Sequence, residues 1–229
     1  MDGPELTWMV RAVGVFCLAA ALTGAFTRVR IPREDIPCGY TRPVLALELA
    51  PPVEVIAMIY DKPDTPERIR ALRRSVRADF LFIAAYVLLY VGLAALLAQR
   101  PGRWHPLLGA VAAALAAAAA VLDVVENRHL LRFLDDGSIP DGMRLMAVLK
   151  WMAISAAAVL LSFLFFGARD IFLATGVLLL ASGLAGLLTS WRGACTEWSI
   201  TLLSLALIPV LGFLFAPQSF LERFALPDG

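Results

Sequence analysis

The sequence predicts an all-α polytopic transmembrane bundle of about six spans, with an interfacial helical segment between the first span and the second. Three observations predict it. Hydrophobic residues make up 60% of the 229 and charged residues 17%, against roughly 45–50% and about 25% in soluble domains. The apolar residues gather in continuous runs close to the ~20 residues an α-helix needs to cross the hydrocarbon layer. Polarity does not alternate within those runs, which excludes the strands of a membrane β-barrel.

The runs lie at 8–26, 79–98, 107–126, 145–166, 171–190 and 197–216, within one membrane domain covering 1–229. The first follows "MDGPELT", which is acidic and lacks the basic flank of a secretory signal, so this helix is expected to be retained. Segment 27–78 is the one substantial stretch outside the spans. Its middle, "TRPVLALELAPPVEVIAMIY", is apolar, but Pro51 and Pro52 break it and Glu48 and Glu54 charge it. Proline removes a backbone donor and clashes with the preceding turn, so two short helices at the interface fit better than a seventh span. Then "DKPDTPERIRALRRSVRADF" opens a helix: Thr65 as cap, Pro66 at the first position, Glu67 in the first turn. Ile69, Leu72 and Val76 form an apolar stripe at helical spacing, and arginines surround it.

Residues 79–166 form the expected core. Its third and fourth spans make a hairpin around "DDGSIPD", with Gly137 as helix stop, Ser138 as the next cap and Pro140 near the next start. Asp123 and Lys150 stand equally far before and after that turn. In an antiparallel pair, equal distance means equal height, so the two are predicted to meet. Residues 171–216 read as an accessory pair, in which Ser182 and Gly186 permit close helix contact. Trp8, Trp104, Trp191 and Trp198 stand near span ends, where indoles anchor at the interface.

Charge sets the orientation. Ten of the 20 Lys and Arg residues lie between Arg28 and Arg77. Arg128, Arg132, Arg144 and Arg192 share their side, while Arg100, Arg103, Arg169 and Arg223 fall on the other. The positive-inside rule makes the first side cytoplasmic and both termini outward; 18 Arg against 2 Lys, with abundant Ala, suggests a GC-rich bacterial genome, so the cytoplasmic (inner) membrane of a bacterium is the expected location. Membrane lipids are the expected partners, with anionic headgroups against the basic loop; a second membrane protein is the other candidate. The basic residues adjoin a span and lack interleaved aromatics, which argues against nucleic acid. Cys17, Cys38 and Cys195 show no CxxC spacing, and His105 and His129 fall on opposite sides. No disulfide, metal or cofactor is expected, and no phosphate loop, HExxH or GxSxG is present.

What remains is a set of polar residues inside or beside the spans. A charge at a span's centre costs ~2.5–3.5 kcal/mol on insertion scales, so several at one level are best explained together. Asp123, Glu126 and Asn127 share one helix face; Asp79 and Tyr86 share another. Glu48 joins from the interfacial segment, and Lys150 and Arg77 are the expected counter-charges. Four uses fit this set. It pins the helices together. It binds an anionic or zwitterionic headgroup against an apolar wall. It supplies carboxyl groups for acid–base or proton-coupled work through Asp79, Asp123 and Glu126. Or those three hold a divalent cation, against which Lys150 competes.

The sequence "LALEL", "DFLFIAAY", "DVVEN" and "LKW", in that order over residues 42–166, resembles a group of uncharacterised bacterial multi-pass membrane proteins. The resemblance implies a four-helix core with an interfacial element and implies no activity. The functional expectation is therefore a membrane protein binding a lipid-like or small hydrophobic molecule, or a membrane partner, through the polar cluster. A membrane-embedded enzyme or a proton-coupled carrier is the alternative.

Overall fold

The computed structural model describes residues 31–99, 102–138, 141–166, 171–189 and 200–202, together with scattered positions between 8 and 29 and residue 205. The described positions between 8 and 22 are helical. Most of the expected first span, and nearly all of the sixth, lie outside the described residues, as do Pro140, Trp191, Trp198 and Cys195. The described chain is helical throughout and contains no strand. A 3₁₀ turn at Arg33–Asp35 precedes α1 (Pro43–Leu49), α2 (Pro52–Ile59), α3 (Thr65–Ala98), α4 (His105–Asp136), α5 (Met143–Phe166) and α6 (Ile171–Thr189).

Proline places the boundaries at the start of the chain. Pro43 and Pro52 occupy the first turns of α1 and α2, where a missing N–H costs nothing. Pro51 forces the break, and Ala50 ends α1 in an extended conformation. The α3 start differs from expectation. Asp64 holds the cap position and Thr65 is already helical. The Thr65 hydroxyl points backward, within reach of the carbonyls of Ile59 at 3.0 Å and Tyr60 at 3.1 Å. It ties the α3 start to the α2 end rather than to its own helix.

Three helices, α3, α4 and α5, are long and apolar enough to cross a membrane, and α6 is a shorter apolar helix. At 1.5 Å per residue, the 34 residues of α3 run about 51 Å. A hydrocarbon layer is ~30 Å thick, so the arginine-bearing first turns extend beyond it. Each of these helices packs chiefly on the next, α3 on α4, α4 on α5 and α5 on α6. Short connections make such neighbours antiparallel. Small residues set the closest approaches. A Cβ on Gly109 would stand 2.8 Å from the Ala98 Cβ, and one on Gly183 would stand 2.6 Å from the Ser155 carbonyl. Ser182 and Gly186 are buried beside Gly183 on that α6 face.

The α4–α5 turn follows expectation in one half only. Gly137 has φ 74 and its N–H donates to the Phe133 carbonyl at 2.8 Å, which ends α4. Ser138 does not cap α5, which begins at Met143; its N–H and hydroxyl both bond back to Asp136 Oδ1. A short polar side chain accepting from the residue two ahead closes the turn locally instead.

Two apolar clusters divide the bundle lengthwise. One joins Leu89–Leu97 of α3 with Ala112, Ala116, Leu161 and Leu164. The other, at the α4–α5 turn end, joins Ala46 and Leu47 of α1, Met58 and Ile59 of α2, Leu72 and Val76 of α3, and Leu130 and Phe133 of α4. Fully burying such side chains stabilises by roughly 1.5–3 kcal/mol each, so α1 and α2 belong to the packed body. Tyr60 locks them on: its ring meets Phe133 edge-on at 5.7 Å, and its hydroxyl donates to the Phe133 carbonyl at 2.8 Å. Along α3, α4 and α5 alike, a polar layer separates the two clusters.

Candidate functional site

The centre of that layer is one ammonium. Lys150 Nζ on α5 lies 3.0 Å from Glu48 Oε2 of α1, 3.0 Å from Asp123 Oδ1 of α4 and 2.7 Å from Glu126 Oε2 of α4. Lysine suits the position because its compact head carries three donors and turns freely. The bonds to Glu48 and Asp123 have hydrogen-bond geometry. The contact to Glu126 is an ion pair by distance, but its angles fall outside hydrogen bonding, and Glu126 Oε2 has no other donor. Glu48, Asp123, Glu126 and Lys150 are all buried.

Neutral donors complete three of the four acids. Tyr86 Oη donates to Asp123 Oδ2 at 3.1 Å, Trp151 Nε1 to Glu48 Oε2 at 3.2 Å, and Asn127 Nδ2 to Asp79 Oδ2 at 2.7 Å. The helical register explains the set. Asp123, Glu126 and Asn127 share the inner face of α4, and Asp79 and Tyr86, seven apart, share one of α3. Glu48 reaches in because Pro51 stops α1 just after it.

Seven of the eight residues expected from the sequence are therefore assembled in this layer, and the predicted meeting of Asp123 with Lys150 is a direct bond. Arg77 is not among them. It is exposed and forms no ion pair among the described residues, since its position on α3 faces away from the inner stripe of Leu72, Val76 and Ile83. Among the described residues, Lys150 alone supplies the counter-charge. Of the three acids weighed as a divalent-cation site, Asp123 and Glu126 contact that ammonium, and the described His, Cys, Asp and Glu residues form no group of three placed to hold a metal.

Trp151 was missed. Its indole donates to Glu48 and also stands 5.3 Å from Lys150 Nζ, a cation–π distance. The signal was its place inside a span, where tryptophan is less at home than at an interface.

A second ion centre was missed as well. Arg68, buried in the first turn of α3, donates to Asp35 Oδ2, to Asp64 Oδ1 at 2.7 Å and to the Met58 carbonyl at 2.9 Å, and Lys62 also donates to Asp35. These two hydrogen bonds, from Lys62 and then Arg68, hold the Asp35 carboxyl below its ordinary value. The centre fastens the 3₁₀ turn to the α2–α3 connection. Asp35 is 27 residues from Lys62 and 33 from Arg68, which no local spacing rule finds.

Beside the polar layer, a cleft of about 300 Å³ opens between the α1–α2 break and the start of α5. Glu48, Asp141 and Arg144 give it charges of both signs, and Pro52, Val55 and Met143 give it an apolar wall. Comparison with family models, with curated proteins and with solved structures returns no match.

Proposed function

We propose that this protein is a multi-pass bacterial inner-membrane protein that binds a lipid-like molecule with a charged headgroup, seated in the cleft beside Glu48. One observation carries the reading. The cleft joins an apolar wall to Arg144 and two carboxylates, and one of these, Glu48, is held by the buried lysine. Ligand sites of this kind are mostly apolar, with a few polar groups that fix orientation. A zwitterionic headgroup fits better than a purely anionic one, because Lys150 already pairs with three carboxylates. Arg144, exposed at the rim, is then the phosphate contact.

The exposed arginines support a cytoplasmic placement of this end. Arg70, Arg74 and Arg77 on α3, Arg128 and Arg132 on α4 and Arg144 on α5 all stand at the α4–α5 turn end. We read six spans, outward termini, α1 and α2 at the inner interface, and anionic lipid around the arginines. Cys38, exposed at this end, provides the check: a membrane-impermeant maleimide should reach it from the cytoplasmic side alone.

The binding test uses short-chain phosphatidylethanolamine and the purified protein in detergent. Saturable binding is expected, weakened about tenfold or more by Arg144→Glu; no saturable binding to either protein overturns the reading. A second reading, a proton-coupled carrier using Asp79, Asp123 and Glu126, draws on the surplus of acids in the layer. Lipid binding that is unaffected by Arg144→Glu while Glu126→Gln abolishes an uptake activity would favour it.

A further inference from the structure

The polar layer is unbalanced, and the imbalance has an address. Glu48 from α1 and Asp123 and Glu126 from α4 contact Lys150 from α5, the one cation among the described residues of the layer, and Asp79 from α3 joins the layer through Asn127. The other groups facing it, Tyr86, Asn127 and Trp151, are neutral donors. Charge in a low-dielectric interior is tolerated only when paired and hydrogen-bonded. Three buried carboxylates against one ammonium, with the half-buried Asp79 close by, do not meet that condition.

The donors are unevenly shared. Glu48 has Trp151, Asp79 has Asn127 and Asp123 has Tyr86, each in addition to any share in Lys150. Glu126 has no neutral donor. It is 0% exposed, and its Oε1 is buried with no partner at all. Buried polar atoms in native proteins are almost always paired, and an orphan calls for an unseen partner. Here the orphan is an acceptor in a surplus of negative charge, so the missing partner is positive.

We propose that the Glu48–Asp79–Asp123–Glu126 layer takes up at least one further unit of positive charge from solution, a proton or an alkali-metal ion, with Glu126 Oε1 as its principal ligand. No three of the described carboxylates are placed to hold a metal ion by themselves, so a proton is the first candidate and an alkali ion needs water among its ligands. A proton needs only the one oxygen; an alkali ion would share Oε1 with water or a neighbouring carboxylate. Glu126 does not line the cleft, although Glu48 does, so the principal ligand lies apart from a lipid seated there.

The test uses the full chain, purified and reconstituted in nanodiscs. One arm is infrared spectroscopy with ¹³C-labelled glutamate at neutral pH in choline buffer, which detects an un-ionised carboxyl group. The other compares the thermal midpoint in sodium, potassium and choline chloride at equal ionic strength. A proton gives an un-ionised glutamate band in the wild type, lost in Glu126→Gln. An alkali ion gives instead a midpoint that rises with sodium or potassium over choline, and this dependence is lost in Glu126→Gln. Should that variant not fold, Glu126→Asp, which keeps the charge and withdraws the oxygen, is expected to weaken the same signal. A wild type with neither an un-ionised band nor alkali dependence overturns the proposal, as does a signal untouched by either variant.

Discussion

Two ion centres in this bundle solve the problem of burying charge in opposite ways. At the Arg68 centre, two cations, Arg68 and Lys62, meet two acids, Asp35 and Asp64, and Asp64 is 47% exposed to water. At the Lys150 centre, one cation meets three acids, each 8% exposed or less, and a fourth, Asp79, stands in the same layer. The first is neutral and wetted, and its work is to fasten a connection. The second carries a surplus in an apolar surrounding, an expensive arrangement for a fastener alone. Balance marks structure here, and imbalance marks the place where something else is expected to bind.

The contrast is broken most severely by Lys150→Met. It leaves four acids with no cation, and removing one partner of a buried pair costs about 3–5 kcal/mol. Reversible denaturation in mixed micelles should show a loss of that size. Pairing it with Asp123→Asn should restore part of it, because one acid is removed with the base while Glu48 and Glu126 still lack their cation. A strictly additive double variant would mean the two residues do not support one another.

Arg68→Met should cost less, about 1–3 kcal/mol, since Asp64 can turn to water while Asp35 and the Met58 carbonyl lose their donor. The damage should be local, seen as faster proteolysis between residues 31 and 64. A cost equal to that of Lys150→Met would erase the distinction drawn between the centres.

Acid sharpens it further. The folded Asp35 carboxyl titrates below its ordinary value of 3.8, so the unfolded chain binds its proton first. Its contribution is fully present above that ordinary value and is lost as pH falls through the lower, folded one. Cleavage of the 31–64 segment by pepsin should therefore stay constant down to about pH 4 and rise below it. Asp35→Asn should show no such window.

How far the sequence foretold these centres follows from what each depends on. The Lys150 centre rests on helical period and a turn near which two helices fold back, both visible in one dimension. Asp79, Tyr86, Asp123, Glu126 and Asn127 fell together for that reason, and Glu48 joined them from the proline-broken segment before α3. Arg77 did not, because α3 is continuous from Thr65, and its register points Arg77 outward where the inner stripe runs through Val76 and Ile83. The Arg68 centre depends on where a non-helical connection lies in space, which hydrophobic period does not encode. The same holds for the Thr65 hydroxyl, whose partners lie at the end of the helix before it and in the connection between the two.

The smallest expected effect concerns the turn that places Asp123 opposite Lys150. Gly137 sits at φ 74, where a side chain costs about 1–2 kcal/mol in backbone strain. A Cβ there would meet the Tyr60 ring at 3.8 Å, an ordinary contact, so packing adds no penalty. Gly137→Ala should lower stability by about 1 kcal/mol, and Gly137→Asn by less, because asparagine tolerates the left-handed region. Both variants should keep the Lys150 centre intact, with the un-ionised carboxyl signal or the alkali dependence of the wild type unchanged. Loss of that signal in the asparagine variant would show that the hairpin turn, and not the facing of Asp123 and Glu126 on α4, holds the acids around the ammonium.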